Sequence, residues 1–257
     1  MNSHIQKVIE LPVELTDYEF HPTKFRVGAT GYYFLDDVNR QIAFLSNNGN
    51  IIFAGGYGIE NDAFIDPIDI LTFKLRIFIL DKSENKLIDF DHKLNYLHTH
   101  EFDPIYPEFS GIDDWGNIFL LSEQEQKIFK TNILTQNLEE FIDLSLWNNV
   151  YDCITDIHIA VDGSIGILAN CNESALVFNR LGRLENEFLI ENTNSNFIIK
   201  LLNEWFIINN EQQILSIRNN EKVNLQTKGT VLDVDQKDGS LYILSSDKIW
   251  IVDVSME

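Results

Sequence analysis

Short apolar runs, each ending in a small polar or acidic residue, recur along the chain. Taking the fourth residue of each run as its anchor gives spacings of 45, 41, 47, 40 and 36 residues. Repeats at a period of about 20–50 residues are typical of propellers and solenoids. The six anchors are Leu35, Leu80, Leu121, Leu168, Ile208 and Leu244.

Further strand-like runs flank each anchor. One apolar run precedes it, a second follows about six residues later across a short polar turn such as 81–85, and a more polar run comes last. Each unit therefore predicts four strands, from a buried inner strand to a wetter outer one, as a propeller blade requires. The alternating pattern excludes a helical solenoid. A sandwich or a barrel would not predict the regular period.

The two ends of the chain complement each other. The sixth unit ends after its third strand, near Val254, and an unpaired apolar run at 5–11 precedes the first unit. A strand from the N-terminus would complete the last blade and leave no exposed sheet edge. We therefore predict an all-β protein: one domain over residues 1–257, a six-bladed β-propeller of four-stranded antiparallel blades, closed by its N-terminal strand.

One unit resembles an NHL-type propeller repeat. It has a glycine-rich opening at Gly55-Gly56-Tyr57-Gly58, Pro67 before the inner strand, and the strand Ile77-Phe78-Ile79-Leu80-Asp81 before a polar turn. The resemblance implies a six-bladed propeller, a fold that mostly serves as a rigid binding platform. A minority of such propellers are lyases or lactone-type hydrolases with a metal at the central channel. Their metal ligands have no recognisable match here, so the resemblance implies a fold and not an activity.

The charge of the chain narrows the class of partner. Forty acidic residues against nineteen basic ones give a formal charge of −21. Such a surface repels nucleic acid and anionic lipid, and it suits a basic protein partner or a cation. No apolar run is long enough to span a membrane. The first residues lack the features of a secretory signal, so we expect a cytoplasmic protein, or an extracytoplasmic one if a signal peptide has been removed.

The sequence contains two cysteines, Cys153 and Cys171, and no CxxC motif. If the predicted hairpin of the fourth unit is right, the two lie on adjacent antiparallel strands. We expect two buried free thiols, with a disulfide as the alternative.

Four inner-strand residues form a candidate site at one mouth of the central channel. Eleven or twelve positions before the anchors of units two, three, four and six stand Asp69, Ser110, Asp156 and Asp233. The three carboxylates could hold Ca²⁺ or another hard cation, or receive a Lys or Arg side chain of a partner. Alternatively, each could accept hydrogen bonds from backbone amides between blades. These alternatives stay open.

Histidines provide two weaker candidates. His98 and His100 are spaced to share one strand face and could hold a transition metal, but with no third ligand evident we expect an exposed loop. His158 follows Asp156 by two residues, a spacing that suits either a general base or a structural pair.

No catalytic constellation emerges from these residues. We therefore predict a non-enzymatic interaction module or scaffold subunit that presents propeller loops to a protein partner, without a cofactor. The alternative is a metal-assisted hydrolase or lyase acting at the channel mouth through Asp69, Asp156 and Asp233, with Ca²⁺ as the candidate ion. Fold alone does not choose between the two.

Overall fold

Six separate antiparallel sheets of four strands make up the described part of the chain in this computed structural model. The structure describes every residue except 59, 136, 147–152, 191–194, 210–211 and 256–257. The innermost strand of each sheet packs against the innermost strands of both neighbouring sheets, and the sixth packs against the first. The predicted six-bladed propeller is therefore confirmed.

The strands follow the chain blade by blade. The chain begins with β1 (Asn2–Glu10) and the short helix α1 (Val13–Asp17). Blade 1 contains β2 (Lys24–Val27), β3 (Gly31–Asp36), β4 (Gln41–Ser46) and β5 (Ile51–Gly55). Blade 2 contains β6 (Pro67–Phe73), β7 (Arg76–Asp81), β8 (Lys86–Asp91) and β9 (Tyr96–Glu101). Blade 3 contains β10 (Phe109–Ile112), β11 (Asn117–Ser122), β12 (Lys127–Asn132) and β13 (Glu139–Asp143).

The second half repeats this order. Blade 4 contains β14 (Ile154–Ile159), β15 (Ile165–Ala169), β16 (Ser174–Phe178) and β17 (Leu184–Leu189). Blade 5 contains β18 (Ser195–Leu201), β19 (Glu204–Asn209), β20 (Gln213–Ser216) and β21 (Lys222–Asn224). Blade 6 contains β22 (Asp233–Lys237), β23 (Ser240–Leu244) and β24 (Lys248–Ser255). Single 3-10 turns lie at Leu144–Leu146 and Asn170–Asn172. No helix among the described residues is long and apolar enough to cross a membrane.

The N-terminal strand closes the ring. The last sheet has the order β1-β24-β23-β22, so its outermost strand comes from the opposite end of the chain. Ile9 lies opposite Ile249 and Glu10 opposite Lys248, with a bulge between Ile5 and Lys7. The predicted closure is confirmed, and the edge of β24 is covered.

Apolar clusters fill the spaces between neighbouring blades. Leu35 packs in the cluster between blades 1 and 2, whereas the preceding Phe34 packs in the cluster between blades 6 and 1. Leu80 and Ile79 alternate in the same way on either side of blade 2. Since successive side chains of a strand point to opposite faces, a strand flanked by two blades is apolar at every position. This explains the uninterrupted apolar runs at the anchors.

The cysteines correct one expectation. Cys153 and Cys171 are joined by a disulfide, with 5.7 Å between their Cα atoms. Cys153 is half-buried and Cys171 is exposed, so the prediction of two buried free thiols is wrong. The physical reason is register: Ile154 pairs with Ala169, which brings the residues just beyond these two strand ends within disulfide range.

The two flat faces of the disc carry different connections. Because the strands of a blade alternate in direction, the turns between first and second strands and between third and fourth strands lie on one face, which we call the pocket face. Its inner turns are 28–30, 74–75, 113–116, 160–164, 202–203 and 238–239. The second-to-third turns and the connections between blades lie on the other face, which we call the acidic face.

Candidate functional site

The inner strands bring the predicted residues to the channel. Asp69 lies on β6, Ser110 on β10, Asp156 on β14 and Asp233 on β22. Asp69, Asp156 and Asp233 each pair with the anchor of their own blade, as the alignment expects. Ser110 does not: Phe109 pairs with Leu121, so the alignment of unit three was wrong by one residue.

Each of the three aspartates joins its blade to the next. Asp233 accepts a hydrogen bond from the Phe25 amide at 2.8 Å, and Asp156 accepts one from the Ile198 amide at 2.8 Å. Asp69 Oδ2 accepts from the amide of Ser110 at 3.1 Å and from its hydroxyl at 2.7 Å. The alternative in which these carboxylates satisfy backbone amides between blades therefore describes their geometry. A role in binding stays a prediction.

Arg26, which sequence reasoning did not single out, lies among these carboxylates. Its Nη1 contacts Asp233 Oδ2 at 2.8 Å, and its Nη2 contacts Asp69 Oδ1 at 3.1 Å. The guanidinium thus links blades 6, 1 and 2 across the channel wall. Burial opposes the charged guanidinium, but the carboxylates of Asp233 and Asp69 outweigh burial and raise the pKa of Arg26. Arg26 thus places a positive charge of the protein itself beside these two carboxylates.

Lys24 adds a second cation at the same level. Its Nζ lies 4.0 Å from Asp233 Oδ1. Burial lowers the pKa of Lys24, but the nearby carboxylates of Asp233, Asp69 and Asp156 raise it by more, so its net shift is upward. Lys24 is therefore charged at neutral pH.

Two carboxyls of the channel titrate close to neutrality. Burial raises the pKa of Asp156 to about 7, although Lys24 and the Ile198 amide favour its charged form. Burial likewise raises the pKa of Asp235 to about 6, against the influence of Arg26 and the Val27 amide. At neutral pH Asp156 therefore exchanges between its neutral and charged forms.

His158 lies on the same strand as Asp156. Burial, with Arg26 and Lys200 nearby, lowers the pKa of His158 to about 3, so its ring is neutral at physiological pH. The ring packs edge-on against Trp205, with 5.9 Å between centroids. Its Nε2 is buried and has no hydrogen-bond partner among the described residues. Asp156 accepts from the Ile198 amide, and the structure gives no support to a catalytic Asp156–His158 pair.

A pocket of about 170 Å³ occupies the channel. Its inner end is lined by the side chains of Arg26, Asp156, His158 and Asp233, while its outer end reaches Asp114, Val161 and Gln236. Asp114 and Val161 are exposed in turns of the pocket face, whereas Asp233 is buried. The pocket therefore opens on the pocket face and ends in a charged, polar floor.

The metal predictions are not settled by this geometry. Among the described residues, no group of three or more His, Cys, Asp or Glu side chains is arranged to hold a metal ion. Asp69 and Asp233 direct oxygens to Arg26. A cation held by Asp69, Asp156 and Asp233 stays a prediction.

The other histidine candidate lies elsewhere. His98 and His100 are on β9, the outer strand of blade 2, and not in an exposed loop, so that expectation was wrong. Their rings contact each other edge-on at 4.7 Å, and His100 Nε2 lies 3.8 Å from Asp89 Oδ2. Asp89 is bonded to Arg76.

The comparisons with known proteins place the fold. No protein-family model matches the chain, and the search of curated proteins found no match. Among solved structures, virginiamycin B lyase from Staphylococcus aureus is similar with a TM-score of 0.67 and 13% identity, covering 99% of this chain and 100% of that one. A streptogramin B lyase gives 0.65 and 19%, covering 90% and 78%.

An extracellular domain of a one-component system from B. thetaiotaomicron has a TM-score of 0.62 at 10% identity, covering 97% of this chain and 42% of that one. At these identities the likeness concerns the fold alone. This chain therefore has the six-bladed propeller fold of virginiamycin B lyase, which confirms the fold that the resemblance to NHL-type repeats implied.

Proposed function

We propose that the protein is a non-enzymatic interaction module whose acidic face binds a basic protein partner. One observation carries this proposal: the exposed charges of the disc are segregated. The described turns and connections of the acidic face expose eleven carboxylates: Glu14, Asp17, Glu19, Asp37, Glu60, Asp62, Glu84, Asp103, Glu125, Glu173 and Asp247.

Few cations offset these carboxylates. The Lys and Arg residues of the same described segments are Arg40, Lys82 and Lys228, and of these Lys228 is the exposed one. Arg40 donates to the Ile65 carbonyl, and Lys82 pairs with Glu108 at 3.1 Å. Uncompensated charge of one sign on one face raises the rate at which an oppositely charged partner associates.

The pocket face has no such excess. Its described turns expose four carboxylates, those of Asp114, Asp162, Glu221 and Asp238. They also expose five cations, those of Lys74, Lys93, Arg180, Arg183 and Arg218. The large net charge of the chain therefore does not act as a uniform solubilising coat. Among the described turns and connections, the excess of negative charge lies on the acidic face, and this arrangement suits a partner with a complementary basic surface.

The test uses a fluorescent lysine-rich peptide as the basic probe, with a glutamate-rich peptide of equal length as the negative control. We expect the anisotropy of the lysine-rich probe to rise on adding the protein at low salt, and the affinity to fall steeply with salt because the pairs are exposed. The test variant removes three carboxylates of the acidic face: Asp37→Asn, Glu125→Gln and Glu173→Gln. Its affinity should fall about threefold or more.

A matched variant removes three exposed carboxylates that belong neither to the acidic face nor to the pocket lining: Glu139→Gln, Glu185→Gln and Asp238→Asn. It has the same net charge as the test variant, so it should keep the wild-type affinity if the acidic face is the site. Equal losses in the two variants would mean that only net charge matters, and the proposal would then fail. Absence of binding to the lysine-rich probe at low salt would also overturn it.

A metal-assisted lyase or hydrolase reaction in the channel is the second candidate. It is supported by the polar pocket, by a carboxyl at Asp156 whose pKa of about 7 suits proton transfer near neutrality, and by the fold shared with virginiamycin B lyase. It predicts that Ca²⁺, Mg²⁺ or Zn²⁺ raises the melting temperature and is retained at one ion per chain. A protein without either effect would remove this candidate.

The disulfide bears on where such a module works. Disulfides persist mainly in oxidising compartments, so the Cys153–Cys171 bond favours an extracytoplasmic location over the cytoplasmic one expected from the sequence. The compartment stays a prediction, to be tested by cell fractionation.

A further inference from the structure

The proposal for the acidic face assigns no role to the channel pocket. It opens on the opposite side of the disc, and its floor is built from charged and polar side chains of blades 1, 4 and 6. A volume of about 170 Å³ accommodates a small polar group but not a folded segment. The question is which chemical group this floor would bind.

The first observation is the net charge of the floor. Asp156, Asp233, Asp235 and Arg26 line the pocket. Asp69 and Lys24 lie within ion-pair distance of Arg26 and Asp233, so that four carboxylates face two cations. Arg26 bonds to Asp233 and Asp69, and Lys24 lies beside Asp233. The carboxylates of Asp156 and Asp235 line the pocket without a salt bridge in the described structure. An anion would be repelled, and a cation would be attracted.

The second observation is the ring of His158. It is neutral, it lines the pocket, and its buried Nε2 has no hydrogen-bond partner in the described part of the chain. A buried polar atom without a partner is costly. As the Nδ1–H tautomer, this histidine presents Nε2 as an acceptor, which requires a donor from the ligand.

The third observation concerns the rim. Val161, which lines the outer end of the pocket, is 54% exposed, and Trp115 nearby is 56% exposed. Trp115 packs over the 162–163 turn of blade 4, where a Cβ at Gly163 would lie 3.3 Å from its ring. Apolar side chains thus border a polar pocket, which favours a ligand with an apolar stem behind its charged group.

From these three features we propose that the pocket binds a primary ammonium group carried on an alkyl stem. The ammonium supplies three donors and no acceptor, which matches the carboxylates of Asp156 and Asp235 and the Nε2 of His158. The stem lies against Val161 and Trp115. A hard metal ion matches the same charge less well, because it needs several oxygen ligands and two of the four carboxylates are bonded to Arg26.

The test uses n-butylammonium chloride as the probe and n-butanol as its neutral control of similar shape. Binding is followed by the NMR signals of the Trp and His side chains in the intact protein. We expect saturable shifts with n-butylammonium that n-butanol does not produce at equal concentration. Equal effects of the two compounds would overturn the proposal, because the charge would then play no part. If calcium chloride shifts these signals and n-butylammonium does not, the pocket is a metal site and the ammonium proposal fails.

The pH profile adds a readout that does not depend on any variant. Asp156 is faced by Lys24 and Arg26 on β2 and by Asp233 on β22, and it shares β14 with His158, beside Lys200. With a pKa of about 7, its charged form rises about tenfold in population between pH 6 and pH 8. The affinity for n-butylammonium should rise severalfold over the same range, and by no more than about tenfold. A flat profile would contradict the proposal.

Two variants complete the experiment. Asp156→Asn should weaken binding of n-butylammonium about tenfold and flatten the pH profile, whereas Glu185→Gln, which removes one exposed carboxylate of the outer strand β17, should leave both unchanged. A peptide containing lysine, compared with the free amine, distinguishes the two sources of an alkylammonium group. Loss of binding in both variants would overturn the assignment to the channel. It would leave the acidic-face proposal untouched, because that proposal is decided by comparing the two triple-carboxylate variants and not by n-butylammonium.

Discussion

Replacing Arg26 with methionine tests whether the channel wall depends on charge. The change removes two ion pairs, at 2.8 Å to Asp233 and 3.1 Å to Asp69, and leaves two nearly buried carboxylates without their bridging cation. Removing one partner of a buried ion pair costs about 3–5 kcal/mol.

The structure favours the lower end of that range. Asp69 keeps its hydrogen bonds from Ser110, Asp233 keeps the Phe25 amide, and Lys24 lies 4.0 Å from Asp233. We therefore expect Arg26→Met to destabilise the fold by about 3 kcal/mol. For a chain of this size that lowers the melting temperature by about 6–12 °C.

The assay is thermal unfolding followed by circular dichroism, with two further proteins for comparison. Arg26→Lys keeps the charge but loses the fork that reaches both carboxylates, so its melting temperature should lie between those of wild type and Arg26→Met. In a background carrying Asp69→Asn and Asp233→Asn, the charges that need Arg26 are gone. In that background Arg26→Met should lower the free energy of unfolding by about 1 kcal/mol or less. An equal cost in both backgrounds would refute the reasoning, because Arg26 would then act through packing alone.

Three further predictions concern the same inner ring. The pKa of Asp156 is higher in the folded state than in the unfolded state, so the native protein binds this proton more tightly. Ionisation of Asp156 therefore lowers the stability of the fold as the pH rises from about 4 to about 7. Asp156→Asn should be more stable than wild type at pH 8, by up to about 4 kcal/mol, and differ little from it at pH 4. Reducing Cys153–Cys171, which closes a loop of 18 residues, should lower stability by about 3 kcal/mol. Gly111→Ala would place a Cβ 2.1 Å from Ile159 Cγ1, and thermal unfolding should show a loss of about 1–3 kcal/mol.

Each of these has an outcome that contradicts it. A stability difference for Asp156→Asn that stays constant between pH 4 and pH 8 would mean that burial does not raise its pKa. Free thiols detected before reduction would contradict the disulfide. For the glycine, Gly58→Ala is the control, because neither Gly58 nor Gly111 has a positive φ. A Cβ at Gly58 would press on the carboxylate end of the Glu60 side chain, which can swing away, and would contact Ala63 Cβ at 3.3 Å. If the control lost as much stability as Gly111→Ala, backbone conformation rather than blade packing would be the cause.

The fold could be read from the sequence because the blade is a local pattern. Leu35 and Leu80 mark strands that bury both faces between neighbouring blades, so their apolar runs are uninterrupted and recur once per blade. Ring closure followed from arithmetic, since the strand missing from the last blade was present at the N-terminus. The same alignment placed Asp69, Asp156 and Asp233 at equivalent positions, and each of them accepts an amide of the next blade.

The alignment was wrong at unit three because turn length varies. The separation between the inner-strand residue and its paired anchor is eleven in most blades, as for Asp69 and Leu80, but twelve for Phe109 and Leu121. A spacing of eleven or twelve residues therefore admits both Ser110 and Phe109, and only the hydrogen-bonded register decides between them. The disulfide was given only as the alternative to two free thiols for a related reason, because Cys153 and Cys171 lie just outside the paired strands.

Arg26, His158 and Asp235 share a signal that the sequence did contain. Each lies two residues beyond an aligned position, on the same face of its inner strand, because side chains alternate with a period of two. The sequence analysis applied that rule to His158, and the same rule would have placed Arg26 and Asp235 on the channel wall as well. It would not have paired Arg26 with Asp69, 43 residues away, or with Asp233, 207 residues away.

Those separations show what ring closure adds to the site. Arg26 on the first blade reaches Asp233 only because the last blade lies beside the first, and that neighbourhood is held by β1 pairing with β24. The same closure brings Lys24 and Asp233 together and gives the pocket a floor made from both ends of the chain. The electrostatics of the channel are thus a property of the closed ring and not of any one blade, which is why a repeat pattern predicts the scaffold but leaves its charged centre undetermined.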